Sequence, residues 1–416
     1  MKKTRHLILC LSMALMFLAS SRSVSGQQFK TVHTFEGQGS NDGQESLGVA
    51  VDAKGNIFGT AAAGGASGRG TIYKLGHNGK YVTLHDFAGG TMDGSFPNGG
   101  VILDQRGNLF GTTIAGGDGP CGGGCGTVFR LNQKGKFSLL HTFQNDAQGG
   151  VPSGSVAMDA QGNIFGETQV GGNVTGKCFS LGGCGTIFRI DAKTKKLSTI
   201  HKFRWSEGAL PFAGLAFDSK GNLYGIAEEG GANLCKSGFG PAPGCGTLFK
   251  VDPMGTFTVL HVFKQTDGQF PVYLTIDQND NLYGTTLKGG DSSLGEVFRL
   301  DHKGKFSVIH SFTGTDGEFP GGVVASQGKL FGAVGAGGDF SVCTGTPAGC
   351  GVIFEMDPDG ANFQLLHTFE DSTDGATPYI FLAVDSAGKL YGTTTAGGDN
   401  QVCGGVGCGT LYRLTP

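Results

Sequence analysis

One short string, Gly-Asn-Leu-Tyr-Gly with small variations, recurs seven times and constrains the fold of this chain more than any other feature. Three further segments keep step with it: one like 126–131 (Gly-Thr-Val-Phe-Arg-Leu), one like 136–143 (Lys-Phe-Ser-Leu-Leu-His-Thr-Phe) and a short apolar run like 214–218. Successive copies lie 48 to 60 residues apart, and such a period is typical of propellers and solenoids. The last Gly of the string stands at Gly59, Gly111, Gly166, Gly225, Gly284, Gly332 and Gly392.

The four segments of each repeat have the pattern of β-strands. They are short, rich in Val, Ile, Phe, Tyr and Thr, and bounded by Gly, Asp or Pro. Gly supplies 78 of the 416 residues, which argues against long helices because Gly weakens a helix interior. Four strands per repeat at this period indicate one propeller blade. We therefore predict an all-β fold: a seven-bladed β-propeller with four antiparallel strands in each blade.

Both ends of the repeat region favour a closed ring over a solenoid. Residues 29–35 copy the third segment with no other segment before them, and the last repeat stops after the copy of the second segment at 409–414. A strand borrowed from the N-terminus completes blade 7, whereas a solenoid would leave two unpaired edges. We therefore expect 27–416 to form one propeller closed by 29–35. The innermost strand, a, is assigned to 48–52 and its copies, and the His-x-Phe strand, d, to the rim.

Residues 1–26 have the pattern of a secretory signal peptide. A basic start at Lys2, Lys3 and Arg5 precedes an apolar run, 7–19, that is too short to span a bilayer comfortably. We expect export to the periplasm or the medium. The mature chain would carry 27 basic and 34 acidic residues, a formal charge of −7, which predicts weak binding of polyanions and no nucleic-acid partner. The rest of the sequence contains no segment that could span a membrane as a helix.

The repeat also resembles a known family. Residues 388–414 contain Gly-Lys-Leu-Tyr-Gly-Thr-Thr, then a double Gly, then Gly-Thr-Leu-Tyr-Arg-Leu, and this arrangement resembles the GloVer (Gloeo/Verruco) tandem repeat of secreted bacterial proteins. The resemblance covers 29–414. It implies an exported repeat protein of the cell exterior with no assigned chemistry. The pattern Asp-x-x-Gly-Asn-Leu-Tyr is similar, more distantly, to NHL-type and streptogramin-lyase-like propellers.

Ten of the eleven cysteines form five close pairs, each between the double Gly and strand c of one blade. In an exported chain such pairs predict disulfides, because oxidising compartments stabilise them. Two thiols per loop with no nearby His do not suit a metal site, so we predict no metal. The expected pairs are Cys121 with Cys125, Cys178 with Cys184, Cys235 with Cys245, Cys343 with Cys350 and Cys403 with Cys408.

Polar residues that recur in nearly every blade are expected to be structural. One His precedes the Phe of each strand d by two residues, and one His per blade at the rim cannot converge on a single site. We expect these His to be hydrogen-bonded within their blades. The Asp of Asp-x-x-Gly-Asn is expected to bond the backbone of its own turn, with a ring of bound cations as the alternative. The His are His33, His85, His141, His201, His261, His310 and His367.

The connections b–c and d–a emerge on one face of the predicted propeller. An acidic residue, a Gly, two residues and a Pro recur in the d–a connections, and Phe precedes the Pro in three of them. One interpretation is a turn with its own hydrophobic plug. The other is a ligand site in which carboxylates and aromatic faces bind sugars or cationic peptide side chains, since function concentrates in loops on rigid scaffolds. The candidate ligand-binding residues are Asp93, Phe96, Asp267, Phe270, Asp316 and Phe319.

The sequence lacks the catalytic motifs G-x-S-x-G, H-E-x-x-H and G-x-x-x-x-G-K-[ST]. The leading prediction is an exported, non-catalytic binding or scaffold protein. Its partner would be extracellular carbohydrate or protein, with no cofactor and a monomeric state. The alternative is a propeller enzyme of the lyase or lactonase kind with its site at the central channel. Such an enzyme would use residues that break the sevenfold pattern, as Glu167, Glu228 and Glu229 do. A third interpretation is a purely structural surface protein.

Overall fold

A computed structural model describes residues 27–37, 42–212, 214–232, 235, 244–341, 343, 348–379, 381–399 and 401–416. The strands of this part of the chain form seven antiparallel sheets, and the helical segments are two short 3-10 turns, Gly176–Leu181 and Cys403–Gly405. The predicted seven-bladed β-propeller is confirmed. None of the described segments is a helix long and apolar enough to cross a membrane.

Each blade runs from strand a at the axis to strand d at the rim. The strands of blade 1 are β2 (Gly43–Val51), β3 (Ile57–Gly64), β4 (Thr71–Leu75) and β5 (Tyr81–Asp86); of blade 2, β6 (Gly94–Pro97) with β7 (Ile102–Leu103), β8 (Leu109–Gly116), β9 (Thr127–Leu131) and β10 (Phe137–Thr142); of blade 3, β11 (Gly150–Met158), β12 (Ile164–Val170), β13 (Thr186–Ile190) and β14 (Leu197–Lys202); of blade 4, β15 (Ala209–Pro211) with β16 (Ala216–Phe217), β17 (Leu223–Glu229), β18 (Thr247–Val251) and β19 (Phe257–Val262). Those of blade 5 are β20 (Gln269–Ile276), β21 (Leu282–Lys288), β22 (Glu296–Leu300) and β23 (Phe306–Ser311); of blade 6, β24 (Glu318–Ser326), β25 (Lys329–Ala336), β26 (Val352–Met356) and β27 (Gln364–Thr368); and of blade 7, β28 (Ala376–Pro378) with β29 (Ala383–Val384), β30 (Leu390–Ala396), β31 (Thr410–Thr415) and β1 (Gln28–Thr34).

Strand a is longer than the sequence pattern predicts. In blade 1 it covers Gly43–Val51 rather than beginning at residue 48, so the Gly after the acidic residue already belongs to the strand. In blade 2 the strand is interrupted, and both β6 and β7 pair with β8. Blade 3 shows a register shift at the same place, between Ser153 and Ala157. The predicted first residue of strand a was wrong, because Gly and Pro inside a strand can mark a bulge and not only the turn before the strand.

The N-terminal strand closes the ring, as the sequence predicted. β1 lies antiparallel to β31, with Gln28 opposite Thr415 and Thr34 opposite Thr410. The ring of Phe29 stacks on His367 of blade 6 with the centroids 3.6 Å apart. Blade 7 therefore gains its outer strand and its contact with blade 6 from the same segment.

Aromatic side chains of strands c and d fill the space between blades. Phe87 and Phe129, for example, are fully buried and pack edge to face across the seam of blades 1 and 2. The Gly in each strand b faces the strand-c ring of its own blade. At Gly284 an added Cβ would overlap the ring of Phe298 and lie 2.5 Å from the Tyr273 carbonyl oxygen. The close approach of sheet and ring therefore requires Gly at this position.

The a–b turns are held by their own Asp side chains. In blade 2 the Oδ1 atom of Asp104 accepts hydrogen bonds from the backbone N–H groups of Arg106 and Asn108, at 2.9 and 2.8 Å. Oδ2 accepts one from the Asn108 side chain at 2.6 Å. Asp52, Asp159, Asp218 and Asp277 repeat these bonds. The face that carries the a–b and c–d turns is called the turn face below, and the opposite one the loop face.

Candidate functional site

The acidic residues of the d–a connections bind the strand-d His. The Nε2 atom of His85 lies 3.1 Å from a carboxylate oxygen of Asp93, and His310 lies 3.0 Å from Asp316. His261 and Asp267 form a longer ion pair of 3.3 Å. These carboxylates also accept backbone N–H groups, as in the 2.8 Å bond from Ala88 to Asp93. Three of the predicted ligand-binding carboxylates therefore hold the d–a connection in place. The remaining pairs of this kind are His33 with Asp42, His201 with Glu207 and His367 with Asp374.

The same His rings also bridge neighbouring blades. His85 stacks on Phe137 of blade 2 with centroids 3.9 Å apart, and the same arrangement recurs at five other seams. His141 is the exception among the seven. Leu197 takes the place of the stacking aromatic residue in its neighbour blade, and the His141 Nε2 atom is buried with no described hydrogen-bond partner. Sequence reasoning expected structural His but did not find the partner or this exception.

The three predicted Phe residues stand at the start of strand a with left-handed backbone angles, φ +56°, +58° and +56° for Phe96, Phe270 and Phe319. Each backbone N–H donates to a carbonyl of the preceding b–c loop, for Phe96 that of Arg69 at 2.9 Å. Phe96 and Phe319 are 41% and 40% exposed, whereas Phe270 is only 5% exposed. The three residues belong to blades 2, 5 and 6, and no described ring contact joins them.

Every blade has a residue with this left-handed backbone. The sequence analysis singled out the position only in the three blades where it is Phe. The seven residues have φ between +53° and +58° and begin the strands nearest the axis on the loop face. A left-handed non-Gly residue is rare, so the repetition indicates a requirement of the fold at this point. The side chains, unlike the backbone, differ from blade to blade. We call the set the mouth ring: Glu45, Phe96, Val151, Leu210, Phe270, Phe319 and Thr377.

All five predicted disulfides are confirmed, and each closes a b–c loop within one blade. Disulfides of this number favour an extracellular location, because oxidising compartments preserve them. The bonds join Cys121 to Cys125, Cys178 to Cys184, Cys235 to Cys245, Cys343 to Cys350 and Cys403 to Cys408.

Four of these disulfides also support the mouth ring. The backbone carbonyl of the second Cys accepts the N–H of the ring residue in the next blade, as in the 2.8 Å bond from Val151 to Cys125. The disulfide-closed b–c loops are therefore hydrogen-bonded to the neighbouring blades. The other three bonds of this kind run from Phe270 to Cys245 at 3.1 Å, from Thr377 to Cys350 at 3.0 Å and from Glu45 to Cys408 at 3.2 Å.

Glu167 is a fully buried carboxyl group at the seam of blades 3 and 4. It is 1% exposed, and its Oε2 atom accepts the N–H of Gly214 at 3.2 Å while Oε1 is buried with no hydrogen-bond partner among the described residues. Burial raises the pKa of Glu167 to about 8. At the same place Thr112 donates its hydroxyl to the Gly154 carbonyl of the next blade at 3.0 Å, and most other blades carry a similar Thr bond.

Two further acidic residues end strand b of blade 4. Burial raises the pKa of Glu228 to about 7, and the adjacent Glu229 adds to the shift by repulsion. Burial likewise raises the pKa of Glu229. No described group of three or more His, Cys, Asp or Glu side chains is placed to hold a metal ion. The three acids that break the sevenfold pattern therefore do not assemble into a metal centre with described residues.

The axis of the propeller is lined mainly by apolar side chains. A cavity of about 460 Å³ is bounded by the bulged parts of strand a, including Val101, Val156 and Leu274. The rings of Tyr273 and Phe381 meet edge to face beside it, with centroids 5.6 Å apart. Burial raises the pKa of Tyr273 to about 12, so the phenol stays neutral.

Two grooves lie between blades on the turn face, whereas the ligand-binding residues predicted from the sequence lie on the loop face. The groove between blades 3 and 4 has a volume of about 910 Å³ and includes Phe165, Phe217 and Arg189. The groove between blades 2 and 3 has a volume of about 470 Å³ and includes Arg106 and Arg130. Sequence reasoning missed both, because the residues of each groove come from two successive blades and lie tens of residues apart in the chain.

The fold places the chain among seven-bladed propellers, and the repeats define the family within that class. The model of the Gloeobacter/Verrucomicrobia repeat matches residues 20–239 and 236–416. The chain belongs to this repeat family. No curated protein matches the sequence.

Several solved structures share the fold at low sequence identity. Virginiamycin B lyase from Staphylococcus aureus is 12% identical with a TM-score of 0.58, over 94% of this chain and 100% of that one. Oligogalacturonate lyase from Vibrio parahaemolyticus is 11% identical with a TM-score of 0.56, over 93% and 96%. The extracellular domain of a B. thetaiotaomicron protein is 12% identical with a TM-score of 0.53, over 93% of this chain and 42% of that one. At these identities the likeness shows the fold alone.

Proposed function

We propose that this chain is an exported, non-catalytic binding protein of the bacterial cell exterior that holds its ligand at the mouth ring. The observation that supports this proposal is the contrast within the ring: the backbone repeats in all seven blades while the side chains vary. A rigid repeated backbone that presents variable side chains is the arrangement of a recognition surface. The repeated His, Asp and Thr side chains, in contrast, are mostly occupied by structural hydrogen bonds.

Within this proposal the predicted residues divide into two roles. Phe96 and Phe319 are the contact residues, because their half-exposed rings offer apolar faces to a sugar or a peptide side chain. Asp93, Asp267 and Asp316 are positioning residues, because they hold the start of strand a through the rim His. Phe270 serves as a hydrophobic plug of its own segment.

Export is part of the same proposal. Five disulfides and the likeness to an extracellular domain support a location outside the cytoplasm, either in the periplasm or in the medium. The predicted signal peptide, 1–26, lies outside the described residues. N-terminal sequencing of the protein recovered from a bacterial host tests this proposal, and an intact N-terminus on cytoplasmic protein would contradict it.

The test of ligand binding is a glycan and peptide array followed by titration of a bound compound. Replacing Phe96 or Phe319 by Ala is expected to weaken binding roughly two- to tenfold, at about 0.5–1.5 kcal/mol per aromatic contact, without lowering the melting temperature. Phe179→Ala is the matched control, because Phe179 is 78% exposed but lies in a b–c loop outside the ring. Equal affinity of the Phe96→Ala, Phe319→Ala and Phe179→Ala proteins would reject the mouth ring as the site.

A second candidate is an enzyme of the lyase or lactonase kind, which Glu167 favours. Its raised pKa of about 8 would suit a general acid, and two of the fold neighbours are lyases. Its 1% exposure argues against direct contact with a substrate. Turnover assays with oligogalacturonates and lactones distinguish the candidates: the enzyme requires turnover that Glu167→Gln abolishes, and the binding protein shows none.

A further inference from the structure

The fold sorts the charged side chains between the two ends of the propeller. Each charged residue can be assigned to the turn half or the loop half by the nearer end of its strand. The turn half carries 20 basic and 13 acidic residues, a formal charge of +7. The loop half carries 6 basic and 21 acidic described residues, a formal charge of −15, with Lys236 outside the described part. The weak polyanion binding expected from the total charge therefore does not apply to the turn face.

Blades 2 and 3 hold most of the positive charge of the turn face. Their turn ends carry eight basic and three acidic residues, a formal charge of +5, whereas those of blades 4 and 5 carry five of each. The eight are called the basic sector here. They are Arg106, Arg130, Lys134 and Lys136 from blade 2 and Arg189, Lys193, Lys195 and Lys196 from blade 3.

The three acidic residues of the sector already bind hydrogen-bond donors. Asp104 and Asp159 each accept two backbone N–H groups and an Asn side chain within their turns. Asp191 accepts the N–H groups of Lys193 and Thr194 at 3.0 and 2.8 Å, and its other oxygen lies 3.2 Å from the Arg189 guanidinium. These bonds hold the carboxylates in their ionised form, and the formal charge of +5 already includes them. The lysines, in contrast, are exposed.

A groove crosses the sector at the seam of the two blades. Its volume is about 470 Å³, and Arg106, Arg130 and Lys195 line it above an apolar floor of Phe110 and Leu140. The Nε atom of Arg130 is buried and has no hydrogen-bond partner in the described structure. The same is true of the Nε atoms of Arg299 and Arg413, so the groove contact falls to the terminal N–H groups of Arg130, which can bind a planar carboxylate with two parallel hydrogen bonds.

We propose that the basic sector binds a linear carboxylated polysaccharide. Arg130 takes one carboxylate in the groove, the half-buried Leu140 contacts the sugar ring, and the exposed lysines on either side take the carboxylates of neighbouring units. This site lies on the face opposite the mouth ring and does not depend on it. Phe110 is only 7% exposed, so the groove lacks the open aromatic platform with which single-stranded nucleic acids stack. The disulfides favour a location outside the cytoplasm, where acidic glycans are among the polyanions.

The experiment is a calorimetric titration of the full mature chain with polygalacturonate fragments at low and high salt. Binding is expected at low salt and should weaken steeply as salt screens the charges. The double variant Lys134→Gln/Lys136→Gln should weaken binding about tenfold. Lys303→Gln/Lys305→Gln is the matched control, since these lysines occupy the same turn positions in blade 5, where the acidic residues balance the charge. It should change the affinity less than about twofold.

Three results would overturn the proposal: no heat of binding at low salt, equal losses from the two double variants, or single-stranded DNA that binds at least as tightly as polygalacturonate. Arg130→Gln should weaken binding as well, and an unchanged affinity would contradict the role given to the groove. Lys134→Gln/Lys136→Gln should leave the affinity for a mouth-ring ligand from the array unchanged, because these lysines lie on the opposite face. Failure of this proposal is therefore distinguishable from failure of the mouth-ring site.

Discussion

Replacing the buried Glu167 by Gln should stabilise the protein, and only at neutral and alkaline pH. The carboxyl is 1% exposed, with one oxygen bonded to the Gly214 N–H and the other without a partner in the part of the chain that the structure describes. Burial raises its pKa from 4.5 to about 8. The folded protein therefore holds this proton more tightly than the unfolded chain does. Below about pH 4.5 both states are protonated and the group carries no charge penalty, and stability is lost as the pH rises from there to about 8.

The size of the effect follows from the same two pKa values. At about 1.4 kcal/mol for each tenfold change in proton binding, the rise from 4.5 to about 8 corresponds to about 5 kcal/mol of lost stability above pH 8. Gln has nearly the same shape and stays neutral, so it avoids this loss. We expect the variant to match the wild type near pH 4 and to exceed it by about 3–5 kcal/mol at pH 8.5.

The assay is denaturant unfolding followed by fluorescence of the single Trp, Trp205, from pH 4 to pH 8.5. Trp205 packs against the core shared by blades 3 and 4, the two blades that the bond from Gly214 to Glu167 joins. Glu370→Gln is the control, because Glu370 is exposed and its replacement should change stability by less than about 0.5 kcal/mol at every pH. A stability difference for Glu167→Gln that does not change with pH would refute the reasoning.

Three further predictions concern the seams and the ring. Gln148→Asp supplies the acidic residue that His141 lacks and should raise stability by about 1 kcal/mol. It should also raise the pKa of His141, which burial now lowers. Melting curves measure the stability and NMR titration the pKa, and an unchanged pKa would contradict the pairing. Gly284→Ala should destabilise by more than about 3 kcal/mol, because the new Cβ would overlap Phe298. Gly304→Ala has open space around it but places a side chain at φ +85°, so it should cost only about 1–2 kcal/mol in the same unfolding assay. Deleting 27–35 exposes the edge of β31 and should produce aggregation or a less cooperative transition, and a monomeric truncated chain of equal stability would rule out the closed ring.

The sequence alone determined the number of blades, the strand that closes the ring and the five disulfides. These features are local or periodic: a strand pattern repeats at a fixed spacing, an unpaired segment stands at each end, and the partner cysteines lie 4 to 10 residues apart. The turn Asp residues belong to the same class, because Asp104 bonds groups within its own turn. Such features depend on neighbours in the chain, which a single sequence displays.

The tertiary structure decided what happens where one blade meets the next. Only there does His85 stack on Phe137, Phe270 become buried while Phe96 stays exposed, and Glu167 lose its access to water. The segregation of charge arises in the same way, since opposite strand ends that are close in sequence lie on opposite faces of the ring. These properties depend on the distance and orientation between segments about fifty residues apart. Packing of the closed ring sets that distance and orientation, so no local sequence pattern encodes these properties.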